Sequence, residues 1–247
     1  MRKVIFHYHL FKNAGTSLDA ALKKAFNKQE WVTAEFPSHQ QKNREQVAEW
    51  VQSKSDAICF SSHTAFMKPG KIAGVEVFPV VFVRHPVDRI QSAYLFEKEQ
   101  NAKTFGSTLA RNTSFSGYVE TMLAMPGWRQ VRNFHAWRLA MSVSPKEGVE
   151  SERALIAVNR LPFIGVVDQY GQSLTKLNKA LAIEGFGDVH LKILKKNVSS
   201  GQGSDLTSRL SDIKNQLGES LYNELVEANS VDMEIYKKVK DRYHTDD

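Results

Sequence analysis

The chain has 247 residues, 42% of them hydrophobic; its 33 lysines and arginines outnumber 27 acidic residues, and this scattered excess of +6, without a base-reading motif, argues for small anionic ligands and against a nucleic acid. One cysteine, Cys59, excludes an intrachain disulfide framework or a cysteine zinc site, and its apolar neighbours make it a buried thiol. No stretch approaches the roughly 18 apolar residues of a membrane span, and His7 and His9 break the N-terminal apolar run too early for a signal peptide, so the expected setting is cytoplasmic.

Residues 4–10 predict a strand, short, β-branched and aromatic, ended by a polar loop. Leu18, Ala21, Leu22, Ala25 and Phe26 then recur at helical spacing on one face. Thr16 or Ser17 is the expected N-cap. Strand, short loop and helix make the first half of a βαβ unit. Residues 27–56 read as polar and irregular, with a helix over 45–52. Strands follow at 57–61 and 77–83. Val80, Val81, Phe82 and Val83 are apolar on both faces, as central parallel strands are. Pro86 suits the first position of a helix, with Val87, Ile90 and Tyr94 on one side. Residues 101–117, rich in Thr, Ser, Asn and Gly, read as a loop. Helices are expected at 118–125 and 133–141, and a fourth strand at 162–167. A helix through Leu174, Leu177 and Leu181 comes next, then a short strand at 191–194 and a loop at 197–204. Two or three helices close the chain from Leu206 onward. No linker divides it, so the expectation is one domain over 1–247, with a helical elaboration around 101–160.

This alternation predicts an α/β fold with a mostly parallel, helix-covered sheet. Ligands on such sheets bind beyond the carboxyl ends of the strands. Two strand-to-helix junctions lie there. In the first, FKNAGTS at 11–17, Lys12 stands at the loop entrance, and Ala14 and Gly15 are small enough for a ligand to approach the backbone. The N–H groups of Gly15, Thr16, Ser17 and Leu18 point along the new helix toward an anion. The GxxxxGK[ST] order of a nucleotide-triphosphate loop is absent. In the second junction, Arg84 is a planar donor suited to bidentate phosphate binding, and Ser92 adds a hydroxyl. Arg89 reads as a surface or packing ion pair. Two anion sites on one sheet imply a ligand with two separate anionic groups, such as a nucleotide phosphorylated at both ends of its sugar.

Residues 12–18, KNAGTSL, resemble the 5′-phosphosulfate loop of sulfotransferases that use 3′-phosphoadenylyl sulfate (PAPS). Residues 84–94, RHPVDRIQSAY, resemble their 3′-phosphate motif R-D-P-V-x-R-x-x-S-x-Y, with His85 in place of the usual Asp. Residues 163–168 are similar to the family's late VGxxE strand, and 229–236 to its terminal N-x-x-D-x-x-x-Y helix. The nearest branch is the carbohydrate sulfotransferases related to heparan sulfate 2-O-sulfotransferase.

The resemblance implies a P-loop-kinase-like three-layer fold and in-line sulfuryl transfer, without metal, from PAPS to a hydroxyl of a carbohydrate or small metabolite, with PAP as the other product. Lys12 would neutralise the leaving phosphate oxygen. Lys12, Asn13, Ala14, Gly15, Thr16 and Ser17 would hold the phosphosulfate, and Arg84 and Ser92 the 3′-phosphate. Lys195 and Lys196, with the loop through Ser204, would close over the 3′-phosphate or adenine. His63 aligns with a catalytic histidine of the 2-O branch, as the base; Glu97 and Glu99 are the alternative bases. Arg129, Arg132 and Arg138 read as helix-surface arginines rather than acceptor ligands. A nucleotide kinase or a non-catalytic nucleotide-binding module are the competing functions. Oligomeric state and acceptor identity do not follow from the sequence.

Overall fold

The computed structural model describes residues 1–27, 29–69, 71–187, 189–193 and 205–243. Among them are the strands β1 (Arg2–Tyr8), β2 (Trp31–Thr33), β3 (Cys59–Ser62), β4 (Val75–Val83) and β5 (Ile164–Val166). They form one five-stranded sheet in the order β2-β3-β1-β4-β5, and every pairing is parallel. Parallel strands need crossovers, and helices supply them. These are α1 (Gly15–Ala25), α2 (Gln40–Ser53), α3 (Pro86–Glu99), α4 (Phe105–Asn112), α5 (Phe115–Leu123), α6 (Phe134–Ala140), α7 (Glu150–Arg160), α8 (Tyr170–Ile183), α9 (Leu206–Leu217), α10 (Glu219–Ala228) and α11 (Ser230–Asp241). No helix among the described residues is long and apolar enough to cross a membrane.

The order and the helical layers give the expected P-loop-like α/β fold. Strand residues alternate between two cores, because successive side chains point to opposite faces. Val4, Phe6 and Tyr8 of β1 join Phe60, Val81 and Val83 beneath α2, α6, α7 and α11. Ile5, Cys59, Val80 and Phe82 join Leu18 and Leu22 of α1 and Leu174, Leu177 and Leu181 of α8. Cys59 is fully buried, and burial pushes its thiol up. A third cluster ties α3 to α4, α5, α9 and α10 through Ile90, Tyr118, Ile213 and Leu225.

Three expectations are corrected. Residues 101–117 are not a loop: α4 and the start of α5 occupy most of them. Thr104 and Ser114 are the N-caps of these helices. Thr104 Oγ1 accepts from Ser107 N at 3.2 Å, and Ser114 Oγ accepts from Gly117 N at 3.2 Å. The polar segment 27–56 hides β2, which exists because Trp31, Val32 and Thr33 pair with Cys59, Phe60 and Ser61. Residues 191–193 form no strand, and residue 194 lies outside the described residues. There the Asn178 amide brackets Leu191, accepting from its N–H at 2.8 Å and donating to its carbonyl at 3.1 Å. One side chain thus replaces the ladder.

Gly165 of β5 lies against the Phe82 ring, where an added Cβ would come within 2.4 Å. Gly165→Ala is therefore expected to overpack the core and destabilise the protein by about 1–3 kcal/mol, read as a lower urea midpoint. An unchanged midpoint would show that the β4–β5 seam has room to spare.

Candidate active site

Beyond Tyr8 the backbone leaves β1 with one last sheet bond, His9 N to Ser62 O at 3.0 Å. It then turns sharply: Lys12 (φ 61°) and Ala14 (φ 59°) are both left-handed. Neither is glycine, so each conformation costs about 1–2 kcal/mol. Ala14 is the N-cap of α1 and offers no side-chain cap, so Thr16 and Ser17 lie inside the first turn instead of capping it. Ser17 N and Leu18 N donate to the Ala14 carbonyl at 3.1 and 3.2 Å, so of the four expected donors it is the N–H groups of Gly15 and Thr16 that this helix start has to offer a ligand.

Asn13 holds this strained turn. Its Nδ2 donates to the Phe11 carbonyl at 2.9 Å, and its Oδ1 accepts from His135 Nε2 at 2.8 Å. His135 Nδ1 lies 3.0 Å from Asp232 Oδ2, and Asp232 also accepts the backbone N–H groups of His135 (2.8 Å) and Ala136 (2.7 Å). Asn13, His135 and Asp232 are all buried. Burial works to raise the Asp232 carboxyl, but the charge and hydrogen bonds of His135 outweigh it and hold the carboxyl below its usual range. The terminal motif 229–236 thus reaches the first loop through a histidine that sequence reasoning missed. Its place at the start of a helix gave no signal of a partner so distant in sequence.

The second junction is adjacent. Arg84 follows β4 and has its Nη1 3.5 Å from the Lys12 carbonyl. Its Nε donates to Asp88 Oδ2 at 2.6 Å, one turn into α3. Arg209 of α9 grips the same carboxylate at 2.9 and 3.2 Å. Burial raises the Asp88 carboxyl, while bonds and charge from Arg84 and Arg209 prevail and lower it. Ser92 is buried on α3. His85, where relatives of this motif carry Asp, is the N-cap; burial lowers it to about 4, so it is neutral at pH 7. Arg89 is no surface ion pair: it is fully buried, donates to the Gln130 carbonyl and lies 4.5 Å from the Phe134 ring centroid.

Lys12 Nζ sits 4.4 Å from the Phe96 ring centroid. Burial, then the Arg84 charge, lower its pKa. Two cations converge here at the carboxyl ends of neighbouring strands.

Next to them lies a histidine cluster. His7 on β1 and His9 just beyond its end are two residues apart in extended chain, and both face α1. One Asp19 carboxylate takes His7 Nδ1 at 2.7 Å, His9 Nδ1 at 2.7 Å and Ser61 Oγ at 2.6 Å. Burial raises Asp19, but the charge and hydrogen bond of His7, then those of His9, hold it well below the usual carboxylate range. His63, the expected base, is exposed and its ring leans on His9, with centroids 3.7 Å apart and planes tilted by 36°. His7, His9 and Asp19 offer ligand atoms within 4.8 Å of one another. Their shortest separations suit shared protons; ligands of one tetrahedral ion stand about 3.3 Å apart. The sequence signal for the cluster was present, as two polar residues alternating within a buried strand.

The remaining candidates divide. Glu97 is buried and accepts from Tyr118 Oη; burial raises its pKa despite bonds from Tyr118 and Gln130. It serves a helix–helix contact. Arg138 is buried rather than on the surface and donates to the Ala65 carbonyl at 2.7 Å. Arg132 donates to the Leu123 carbonyl, and Arg129 pairs with Glu150 at 2.7 Å. Lys195 and Lys196 lie outside the described residues.

Asp232→Ala strands His135 without its partner, and a loss of about 3–5 kcal/mol is expected in chemical denaturation. For Asp88, whose folded pKa is depressed, the stabilisation is complete above the unfolded value near pH 4 and is lost as pH falls through the folded value. The stability gap between wild type and Asp88→Asn should therefore stay constant at neutral pH and shrink in acid.

The sequence model of the Sulfotransferase family matches residues 1–239. An uncharacterized protein of Archaeoglobus fulgidus is 40% identical over 251 residues, covering 98% of each chain. The match runs from β1 through α11, across both junctions and the buried network between them, and on that basis the chain belongs to the sulfotransferase family.

Proposed function

We propose that the protein moves a sulfuryl group from PAPS to an acceptor hydroxyl on a carbohydrate or small metabolite, within the branch related to heparan sulfate 2-O-sulfotransferase. The observation that carries this reading is the approach of Arg84 Nη1 to the Lys12 carbonyl, 3.5 Å. It sets two anion-binding junctions side by side, one for each charged end of a 3′,5′-bisphosphorylated nucleotide. Sulfotransferases generally draw on PAPS as donor, and the donor set fits it. Residues 12–17 and the start of α1 would take the phosphosulfate; Arg84 and Ser92 would take the 3′-phosphate.

The donor supplies an activated sulfuryl group with a phosphate leaving group. His63 accepts the proton of the acceptor hydroxyl as its oxygen bonds to sulfur. Lys12 leaves the Phe96 face and neutralises the charge that develops on the leaving oxygen as the sulfur–oxygen bond breaks. The rest of the work is positioning, as in loose phosphoryl-type transfers. A half-buried, partly desolvated ammonium acts more strongly there than one in water.

PAP should raise the melting temperature, and Arg84→Ala should abolish the rise; no shift at millimolar PAP would sink the reading. Lys12→Ala and His63→Ala should keep PAP binding and lose turnover, by about 10²–10³-fold for the lysine and about 10²–10⁴-fold for the histidine. Labelled sulfate should pass from PAPS to an acceptor with EDTA present. Transfer of labelled phosphate from ATP instead would point to a kinase.

A further inference from the structure

The imidazoles of His7, His9 and His63 form a file from the buried strand to the surface. Ring centroids are 5.3 Å apart between His7 and His9, and 3.7 Å between His9 and His63. His9 is fixed on three sides. Asp19 holds its Nδ1 at 2.7 Å, and the His63 ring covers one face. Its Nε2 edge lies against Gly15, where an added Cβ would come within 2.2 Å. The start of α1 therefore has to be glycine for this ring to fit. His63, by contrast, has a backbone bond to Glu35 (N to Oε1, 3.3 Å), and its ring rests on His9.

We propose that His9, tethered by Asp19, is a positioning residue that sets the plane of the His63 ring and keeps that imidazole neutral and ready to accept a proton. The proposal rests on the reading of His63 as the base. Its physical content is a ranking of proton affinities. Imidazoles this close repel when both are charged, so the pair carries one proton before it carries two. The Asp19 carboxylate lies against His9 and not against His63. Burial, the largest effect, and the His7 charge lower the His9 pKa, while the hydrogen bond and charge of Asp19 and the charge of Glu35 work to raise it; in this proposal the Asp19 tether puts the first proton on His9, and its charge then disfavours protonation of His63. The groups facing His63 are His9 at the end of β1, Asp19 on α1 and Glu35 after β2; of these His9 is the nearest by ring contact. Burial and then the His9 charge lower the His63 pKa, against smaller opposing effects of Glu35 and Asp19. The base thus stays neutral further into acid than a free histidine would.

The test is an NMR titration of the histidine Cε1–H signals in the intact protein, without donor or acceptor. In the wild type, His9 should titrate before His63 as pH falls; the reverse order overturns the proposal, and no variant has to fold for that result. In His9→Gln, which loses the ring, and His9→Phe, which keeps the stack without the charge, the His63 pKa should rise. The acid limb of kcat should move to higher pH in step, with KM for PAPS unchanged. His9→Phe should recover more of the plateau rate than His9→Gln, because it restores the ring plane. A His63 titration that superimposes in all three proteins overturns the role of His9. Full turnover in His63→Ala would remove the base reading instead, and the titration order distinguishes that failure from this one.

Discussion

The pairing of β1 with β4 is the constraint on which the rest depends. Six consecutive residues of β1, from Arg2 to His7, lie in parallel register with Val75 to Val80. A parallel register brings both strands to the same edge of the sheet, so the chain segments that follow them emerge together. The chain leaves β1 toward one side of the sheet and β4 toward the other, which opens a crevice between the two exits. Lys12 and Arg84 occupy those exits. Their proximity needs no further contact between the two loops; it follows from the ladder.

What the ladder sets roughly, three carboxylates refine, two of them buried and Asp19 partly so. Asp232 reaches Asn13 through His135, Asp88 joins Arg84 to Arg209, and Asp19 gathers His7, His9 and Ser61. Each accepts several hydrogen bonds, and in each the donors outweigh the burial that would otherwise neutralise it. Such groups add little net stability compared with apolar substitutes, but leaving one partner alone is costly. Their value here is geometric. Lys12 and Ala14 sit in left-handed conformations that side-chain-bearing residues avoid, and the turn persists because Asn13 is tied on both sides.

The cations divide in the same way. Arg89 and Arg138 are spent on the interior, capping carbonyls and covering aromatic rings. Lys12 rests on a ring too, but Phe96 is itself partly exposed, so the ammonium remains within reach of the crevice. Arg84, by contrast, is pinned by Asp88 at 2.6 Å.

Much of the fold was legible because its signals are local. Apolar runs at β1, β3 and β4, helical spacing after each junction and Pro86 at a helix start all act through neighbouring residues, and the backbone obeyed them. The two strand-to-helix junctions were legible for the same reason, since each is marked by an apolar run passing directly into helical spacing. Local signals failed where a residue's partner is remote. Trp31 to Thr33 became a strand only because β3 lay beside them, and the Thr and Ser of 101–117 looked like loop residues because capping and looping use the same chemistry. Glu97 was expected as an alternative base and Arg138 as a helix-surface arginine, and packing buried both. The composition and order of residues determined the parallel, helix-covered character of the sheet and the two junctions. Which imidazole stands beside which carboxylate, and which cation is left facing the crevice, was decided by tertiary structure, because those contacts join residues that only the folded chain brings within a few ångströms.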